Sequence, residues 1–271
     1  MKVVVYGLGI IGGSICASLK RAGHTVYAKN RSREPIEYAL AHKMIDGEAK
    51  DYDGADIIVL ALPPRVTMRE LDEGNFPKDA IVMDICGVKQ PLERVVFSRP
   101  RAYRYIGTHP MAGRETSGIG SASVTLFDGA NLILTRCGQT DEAAFETVKE
   151  LGKDMGFGRI VECSAEYHDR MIALTSQLAH VVSNAYVKSS DVENCTGFTG
   201  GSFQDMTRIA GVDENVWTEL FFLNAVPLTG ELDRLIARLE EFRGALAQSD
   251  EAKLRELLKE GKCFHSLLKE K

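Results

Sequence analysis

The strongest constraint on this chain is a change of texture near residue 160. Before it, short apolar, β-branched runs at 3–6, 25–28, 57–60, 81–84, 105–107 and 131–134 alternate with amphipathic stretches. Strands that are apolar on both faces and separated by helices require a parallel sheet covered on both sides. Right-handed crossovers then wind it into a doubly wound α/β sheet. From about 164 the strand signals stop. Tyr167, Met171, Leu174, Leu178, Val181 and Ala185 follow one another in steps of four and three, the spacing of one apolar helix face. Ser164 is placed to cap that helix, with Glu166 in its first turn. Further helices are expected at 202–210, 214–224, 228–247 and 251–269. The chain thus divides into an α/β domain, 1–162, and an all-helical domain, 163–271. A thin helical layer cannot bury its whole apolar stripe alone, so the second domain is expected to pair with a second copy.

Composition removes several classes of function. Among 271 residues, 44% are apolar and 26% charged, an ordinary globular balance. The net charge is −5 and there is no basic run, so neither nucleic acid nor an anionic membrane surface is an expected partner. The apolar stretch at 3–15 is interrupted by four glycines and is too short to span a bilayer. A cytoplasmic location is expected. The cysteines at 16, 86, 137, 163, 195 and 263 form no CxxC pair, and buried, reduced thiols are expected. No histidine pairing with metal-ligand spacing is present, so no metal is expected.

The first strand runs into Gly7-Leu8-Gly9-Ile10-Ile11-Gly12, a GxGxxG that opens a helix at the first βα turn. Gly7 permits the tight turn, Gly9 lets backbone approach a pyrophosphate, and Gly12 lets the helix pack on the sheet. The helix N-terminus offers N–H groups and partial positive charge to the phosphates. An enzyme that uses NAD usually carries an acid at the end of the second strand to hold the ribose hydroxyl. That place is taken by Asn30, flanked by Lys29, Arg31, Ser32 and Arg33. NADP is therefore the expected cofactor, with NAD as the alternative. Leu62, Pro63 and Lys89, which follow the runs at 57–60 and 81–84, are counted among the candidate cofactor residues.

His109, in Gly107-Thr108-His109-Pro110-Met111-Ala112-Gly113, follows a sheet strand. A histidine at the carboxyl end of a parallel strand faces the crevice where open α/β sheets bind ligands, and imidazole suits acid–base work near neutral pH. GLGIIGGS at 7–14, DICGVK at 84–89, GTHPMAG at 107–113, SQLAH at 176–180 and GGSFQDMTRIA at 200–210 together resemble the prephenate/arogenate (cyclohexadienyl) dehydrogenase family of tyrosine biosynthesis. The resemblance covers nearly the whole chain. It implies a Rossmann-type domain followed by a helical dimerisation domain, and oxidative decarboxylation of prephenate or arogenate with NAD(P)+. It implies that His109 removes the ring-hydroxyl proton and that Arg208 binds a substrate carboxylate. His180 matches a second substrate-site histidine, with Ser176 and Asn184 on the same helical stripe. Gly201 matches a loop that reaches the partner subunit's site.

The chain departs from the family pattern in three places. Gly87 stands where a serine often bonds the catalytic histidine, which leaves a water or Cys86 to replace it. Gln177, counted among the candidate substrate-binding residues, stands in place of a histidine and keeps a donor. Arg114 and Glu115 follow the HPMAG element, and they bear on whether the keto acid or the amino acid is preferred. The first strand begins at residue 2 and the last helix ends near 269, so a monofunctional enzyme is expected. Two other readings fit parts of the pattern: a reductase of the pyrroline-5-carboxylate type, and a non-catalytic NADP sensor.

Overall fold

A computed structural model of the chain describes residues 1–113, 116–188 and 192–269. It separates into two compact units, Met1–Asn224 and Ala225–Lys271.

In the first unit the order is β1 (Lys2–Tyr6), α1 (Ile10–Arg21), β2 (Thr25–Lys29), α2 (Arg33–Ala41), β3 (Gly47–Glu48), β4 (Ile57–Leu60), α3 (Pro64–Glu73), β5 (Ile81–Asp84), α4 (Gln90–Val96) and β6 (Arg104–Met111). Then come β7 (Asn131–Thr135), α5 (Glu142–Asp154), β8 (Arg159–Cys163), α6 (Ala165–Ile172), a π-helical turn (Ala173–Gln177), α7 (Leu178–Tyr186), α8 (Gly201–Thr207) and α9 (Glu214–Leu223). The eight strands form one sheet in the order β3-β2-β1-β4-β5-β6-β7-β8.

Strand side chains alternate between two apolar layers. Val3, Val5, Ile57, Val59, Ile81 and Met83 pack with Ile15 and Leu19 of α1 and with Phe145, Val148 and Leu151 of α5. Val4, Ile58, Leu60 and Val82 pack on the other face with Leu71 of α3 and with Leu92 and Val96 of α4. Burying each such side chain stabilises the fold by ~1.5–3 kcal/mol. With both faces covered, the strands read as continuous apolar runs.

The expected all-parallel sheet needs one correction. β6 pairs parallel with β5 only as far as Asp84 opposite Gly107, and then runs antiparallel to β7. Between β6 and β7 the described residues contain only a short 3₁₀ turn, Ile119–Ser121. A parallel return needs a crossover of a dozen or more residues, usually a helix over one face. The strands β3 and β8 were not among the expected runs. β3 has two residues, and β8 (Arg-Ile-Val-Glu-Cys) carries two charges in five.

The helix expected from 164 begins as read, with Ser164 Oγ accepting the Tyr167 N–H at 3.1 Å. Its apolar stripe does not face the interior of the chain. Tyr167 is 48% and Leu174 45% exposed, whereas His168, Asp169, Ile172, Ala173 and Gln177 are buried. The π turn at Ala173–Gln177 also shifts the helical phase midway.

The second unit consists of α10 (Ala225–Ala247) and α11 (Glu251–Lys269), packed on each other. The turn between them is closed by the Asp250 N–H to Ala245 O at 2.8 Å, and Asp250 Oδ1 caps α11 by accepting the Lys253 N–H. Ile236, Leu239, Leu246, Phe264 and Leu268 are more than half exposed. No helix among the described residues is long and apolar enough to cross a membrane.

Candidate active site

The glycine loop has the geometry its sequence requires. Gly7 has φ +103°, and a Cβ there would lie 2.2 Å from the Ala61 carbonyl oxygen. A Cβ at Gly12 would lie 1.9 Å from the Gly7 oxygen, so the helix approaches the loop as closely as backbone allows. At Gly9 nothing lies within 4 Å of a built Cβ, which keeps that side of the loop open for a ligand to approach the backbone. Gly9 caps α1 without a side-chain bond, and the first turn of α1 carries no acid. Uncapped N–H groups beside an open glycine face fit a pyrophosphate.

Asn30 joins this loop to the turn after β2. Its Oδ1 accepts the Leu8 N–H at 3.0 Å and its Nδ2 donates to Ser32 O at 3.0 Å. Arg31, Ser32 and Arg33 are exposed. Arg33 is paired with Glu37 at 2.9 Å. Lys29 lies over the rings of Tyr6 and Tyr52, at 4.7 and 4.9 Å from their centroids. Among the described residues, Arg31 is the one of the three flanking cations with no such engagement. Leu62 and Pro63 sit at the carboxyl end of β4, before α3.

Lys89 is a correction. It is fully buried, and its Nζ is bound to the Asp84 carboxylate. Asp84 also accepts the Cys86 N–H and the Tyr105 hydroxyl, each at 2.7 Å. A lysine with no exposed surface cannot reach a cofactor; it neutralises a buried carboxylate below the site.

His109 lies two residues past the point where β6 leaves β5, held there by its antiparallel pairing with Ile133. It therefore overhangs the carboxyl edge of the parallel strands, the same edge that carries the glycine loop. Its Nδ1 lies 2.9 Å from His168 Nε2, and His168 Nδ1 lies 2.7 Å from Asp169 Oδ1. Asp169 also accepts the N–H groups of Lys89 and Gln90, at 2.7 and 2.9 Å. No reading of spacing had selected His168 or Asp169. Their signal was a polar pair, four residues after the Ser164 cap, on a helix whose apolar residues face outward. Burial, reinforced by His168 and Lys89, holds the His109 imidazolium well below its ordinary range. Burial also lowers His168, partly offset by its bond to Asp169. Both rings are thus kept neutral near pH 7.

Among the described residues, His109 Nε2 carries no hydrogen bond. A Cβ built at Gly87 would lie 3.8 Å from it, ordinary contact distance. Cys86 does not take the missing hydroxyl's place. Its Sγ is 3.5 Å from Thr67 Oγ1 and 3.7 Å from Leu62 O, and burial pushes the thiol up. Cys16 is buried too, but Cys137, Cys163 and Cys195 are half-buried and Cys263 is exposed, so only two of the six thiols match the buried reading.

The helical residues gather around α7. His180 Nδ1 lies 3.0 Å from Ile209 O and its ring packs tilted against Trp217, with centroids 3.9 Å apart and 44° between the planes. Asn184 Nδ2 donates to Ala210 O at 3.2 Å. These two contacts tie the segment that follows Arg208 to α7. Arg208 is the exposed C-cap of α8, and Gly201 is the exposed first residue of that helix. A cavity of about 550 Å³ is lined by His180, Asn184, Trp217 and Phe221, among others. Trp217 was not anticipated. Ser176 is half-buried in the π turn. Gln177 is a second correction. At 1% exposure its amide is occupied by Asn224 and Leu220 O, leaving no surface for a substrate. Arg114 and Glu115 lie outside the described residues. No group of three or more ligating side chains among the described residues is placed to hold a metal.

Comparison with known proteins decides the family. Residues 15–162 match the model of the prephenate dehydrogenase nucleotide-binding domain, and 164–260 match that of the prephenate dehydrogenase dimerization domain. The chain belongs to the prephenate dehydrogenase family. It is 30% identical over 280 residues to a prephenate dehydrogenase of Bacillus subtilis, covering 97% of this chain and 74% of that one. It is 30% identical over 283 residues to a cyclohexadienyl dehydrogenase of Zymomonas mobilis, covering 98% and 96%. Its fold is similar to that of prephenate dehydrogenase from A. aeolicus in complex with hydroxyphenyl propionate and NAD+, with TM-score 0.86, 27% identity, and 99% and 98% covered. Synechocystis arogenate dehydrogenase gives 0.83 at 25% identity, covering 99% of this chain and 100% of that one.

Proposed function

We propose that the chain catalyses NAD(P)+-dependent oxidative decarboxylation of a cyclohexadienyl acid, prephenate to 4-hydroxyphenylpyruvate or arogenate to tyrosine. The observation that carries this is His109. It is a neutral imidazole whose Nε2 is unbonded among the described residues, at the sheet edge that also bears the glycine loop. A family match across both halves of the chain frames it and disfavours the reductase and sensor readings.

A bound nicotinamide supplies the hydride acceptor. The loop Gly7–Gly12 and the α1 N-terminus hold its pyrophosphate, with Leu62 and Pro63 alongside. His109 Nε2 takes the ring-hydroxyl proton as the hydride departs. Arg208 clamps a carboxylate through its guanidinium fork. His180, braced by Trp217, lines the substrate's surroundings with Ser176 and Asn184. Gly201, and Arg114 and Glu115, are carried as substrate-site positions on the resemblance alone.

NADP+ is the preferred cofactor in this reading. No acid stands at the end of β2, and Arg31 and Ser32 are exposed beside Asn30. The functional boundary in this reading falls at 162/163, since the loop and His109 precede it and the carboxylate clamp follows. A homodimer is proposed on the dimerization-domain match and on the exposed apolar side chains of α6, α7, α10 and α11. Free cysteines fit a cytoplasmic setting.

The test is to mix the protein with prephenate or arogenate and with NAD+ or NADP+, following reduced-nicotinamide absorbance and CO2. The expected result is one reduced nicotinamide per CO2 with at least one acid, faster with NADP+. No turnover of either acid would overturn the proposal.

A further inference from the structure

The array behind His109 has a single hydrogen-bond direction. Both Asp169 oxygens accept from backbone N–H groups, which can only donate. The carboxylate therefore faces His168 Nδ1 as an acceptor, and the proton sits on that nitrogen. Neutral His168 is then bare at Nε2 and accepts from His109 Nδ1–H. Neutral His109 is in turn bare at Nε2, the nitrogen beside Gly87. With no side chain at Gly87, nothing among the described residues orients the ring from the Nε2 side. Its orientation comes from the Nδ1 side.

We propose that the buried His168–Asp169 pair is the positioning device of this site: it fixes the tautomer of His109 and takes up the proton charge that His109 acquires. This deepens the reading of His109 as the base and rests on it. In the step itself, the substrate O–H bond breaks and a His109 Nε2–H bond forms. The Nδ1 proton of His109 shifts toward His168 Nε2, while His168 Nδ1 keeps its own proton and goes on donating it to Asp169 Oδ1. A bound NAD(P)+ would accept the hydride with the C–H electron pair as the ring C=O forms, and loss of CO2 would then aromatise the ring, so atoms and charge balance. The charged groups facing the pair are the Lys89–Asp84 ion pair and Glu93 of α4, together with Asp169 itself. Lys89 and Asp84 offset each other, which leaves Asp169 as the anion in direct contact with the new cation. Asp169 has a second duty at the α4 N-terminus, so His168 is the better position to change.

The tautomer is read first, in the wild type, from imidazole ¹⁵N resonances of the holoprotein. The proposal requires a protonated Nδ1 and a bare Nε2 on His109. That readout is independent of turnover, so it separates this proposal from a wrong substrate assignment. His168→Gln keeps an acceptor for His109 Nδ1–H but cannot take a proton, and His168→Leu keeps neither. Partners of this kind typically contribute 10–100-fold. His168→Leu should lower kcat by about 100-fold and His168→Gln by about 10-fold, with KM for the dienyl acid within about twofold for both. A His109 protonated at Nε2 would overturn the proposal. So would a folded His168→Leu enzyme with kcat within twofold of wild type. If His168→Leu does not fold, the wild-type spectrum and His168→Gln decide: wild-type kcat in the glutamine variant would reject the charge-sharing role.

Discussion

The sheet and the helix that follows it solve burial in opposite ways. In the sheet both faces are sealed by aliphatic side chains, and the polar atoms inside are mostly backbone, paired strand to strand. From Ala165 onward the buried face carries His168, Asp169, Gln177 and Ser183, while Tyr167 and Leu174 face outward. The buried His168, Asp169 and Gln177 each have a partner on another element or on one another. A buried polar group costs about 1–3 kcal/mol when unpaired and little when paired. A helix can therefore turn a polar face inward if the neighbouring backbone meets it, as the N–H groups of Lys89 and Gln90 do here. The sheet carries His109 at its edge, and the helix brings the paired His168 and Asp169 up behind it.

This contrast can be broken most sharply at His109. His109→Asn should lower kcat by roughly 10²–10⁴-fold, the range of a general base, with cofactor affinity retained in a fluorescence titration. Turnover near wild type would mean that the overhanging residue of β6 is part of the scaffold only. The buried Lys89–Asp84 pair should behave as scaffold. Lys89→Ala leaves a buried carboxylate unpaired and should cost about 3–5 kcal/mol in urea unfolding. Arg33→Ala, which breaks an exposed and solvent-screened pair, should leave the urea midpoint essentially unchanged. Arg208→Ala should raise KM for the dienyl acid by about 10–100-fold, because each charge-assisted bond to a carboxylate contributes about 1.5–3 kcal/mol. The fall in kcat should be smaller, since the carboxylate is held alike in ground and transition states. An unchanged KM with a collapsed kcat would remove Arg208 from substrate anchoring. Asn30→Asp should give the smallest effect. The carboxylate still accepts the Leu8 N–H but loses the bond to Ser32 O, and like charge at the 2′-phosphate should lower kcat/KM with NADP+ by about tenfold and leave NAD+ use intact.

The same contrast explains what was legible in the sequence. β1, β2, β4, β5 and β7 and the glycine loop were readable because apolar runs and glycines at fixed offsets carry their own signal. β3 and β8 were not, being short or charged. The helix from 164 was readable in period but not in phase. Counting apolar residues finds the greasier face, and here that face is the outer one. His109 was singled out by its motif, but the parallel ladder ends at Gly107 and the antiparallel return carries the histidine beyond it. His168 and Asp169 lie 59 and 60 residues from His109, a separation at which pairwise spacing says nothing. Lys89 and Gln177 were read as ligand contacts because polar side chains near a motif suggest a ligand. Their burial against Asp84 and Asn224 shows the opposite use of the same chemistry.

The pH dependence of kcat/KM tests the central claim, that a neutral, desolvated histidine held from behind is the base. An imidazole must be unprotonated to accept the hydroxyl proton, so activity falls as pH drops through its pKa. Burial with His168 and Lys89 nearby displaces that pKa downward from 6.5. The acidic limb should therefore lie clearly below pH 6.5 in the wild type and be absent from the residual rate of His109→Asn. A limb at or above 6.5, or one that survives in His109→Asn, would contradict the account.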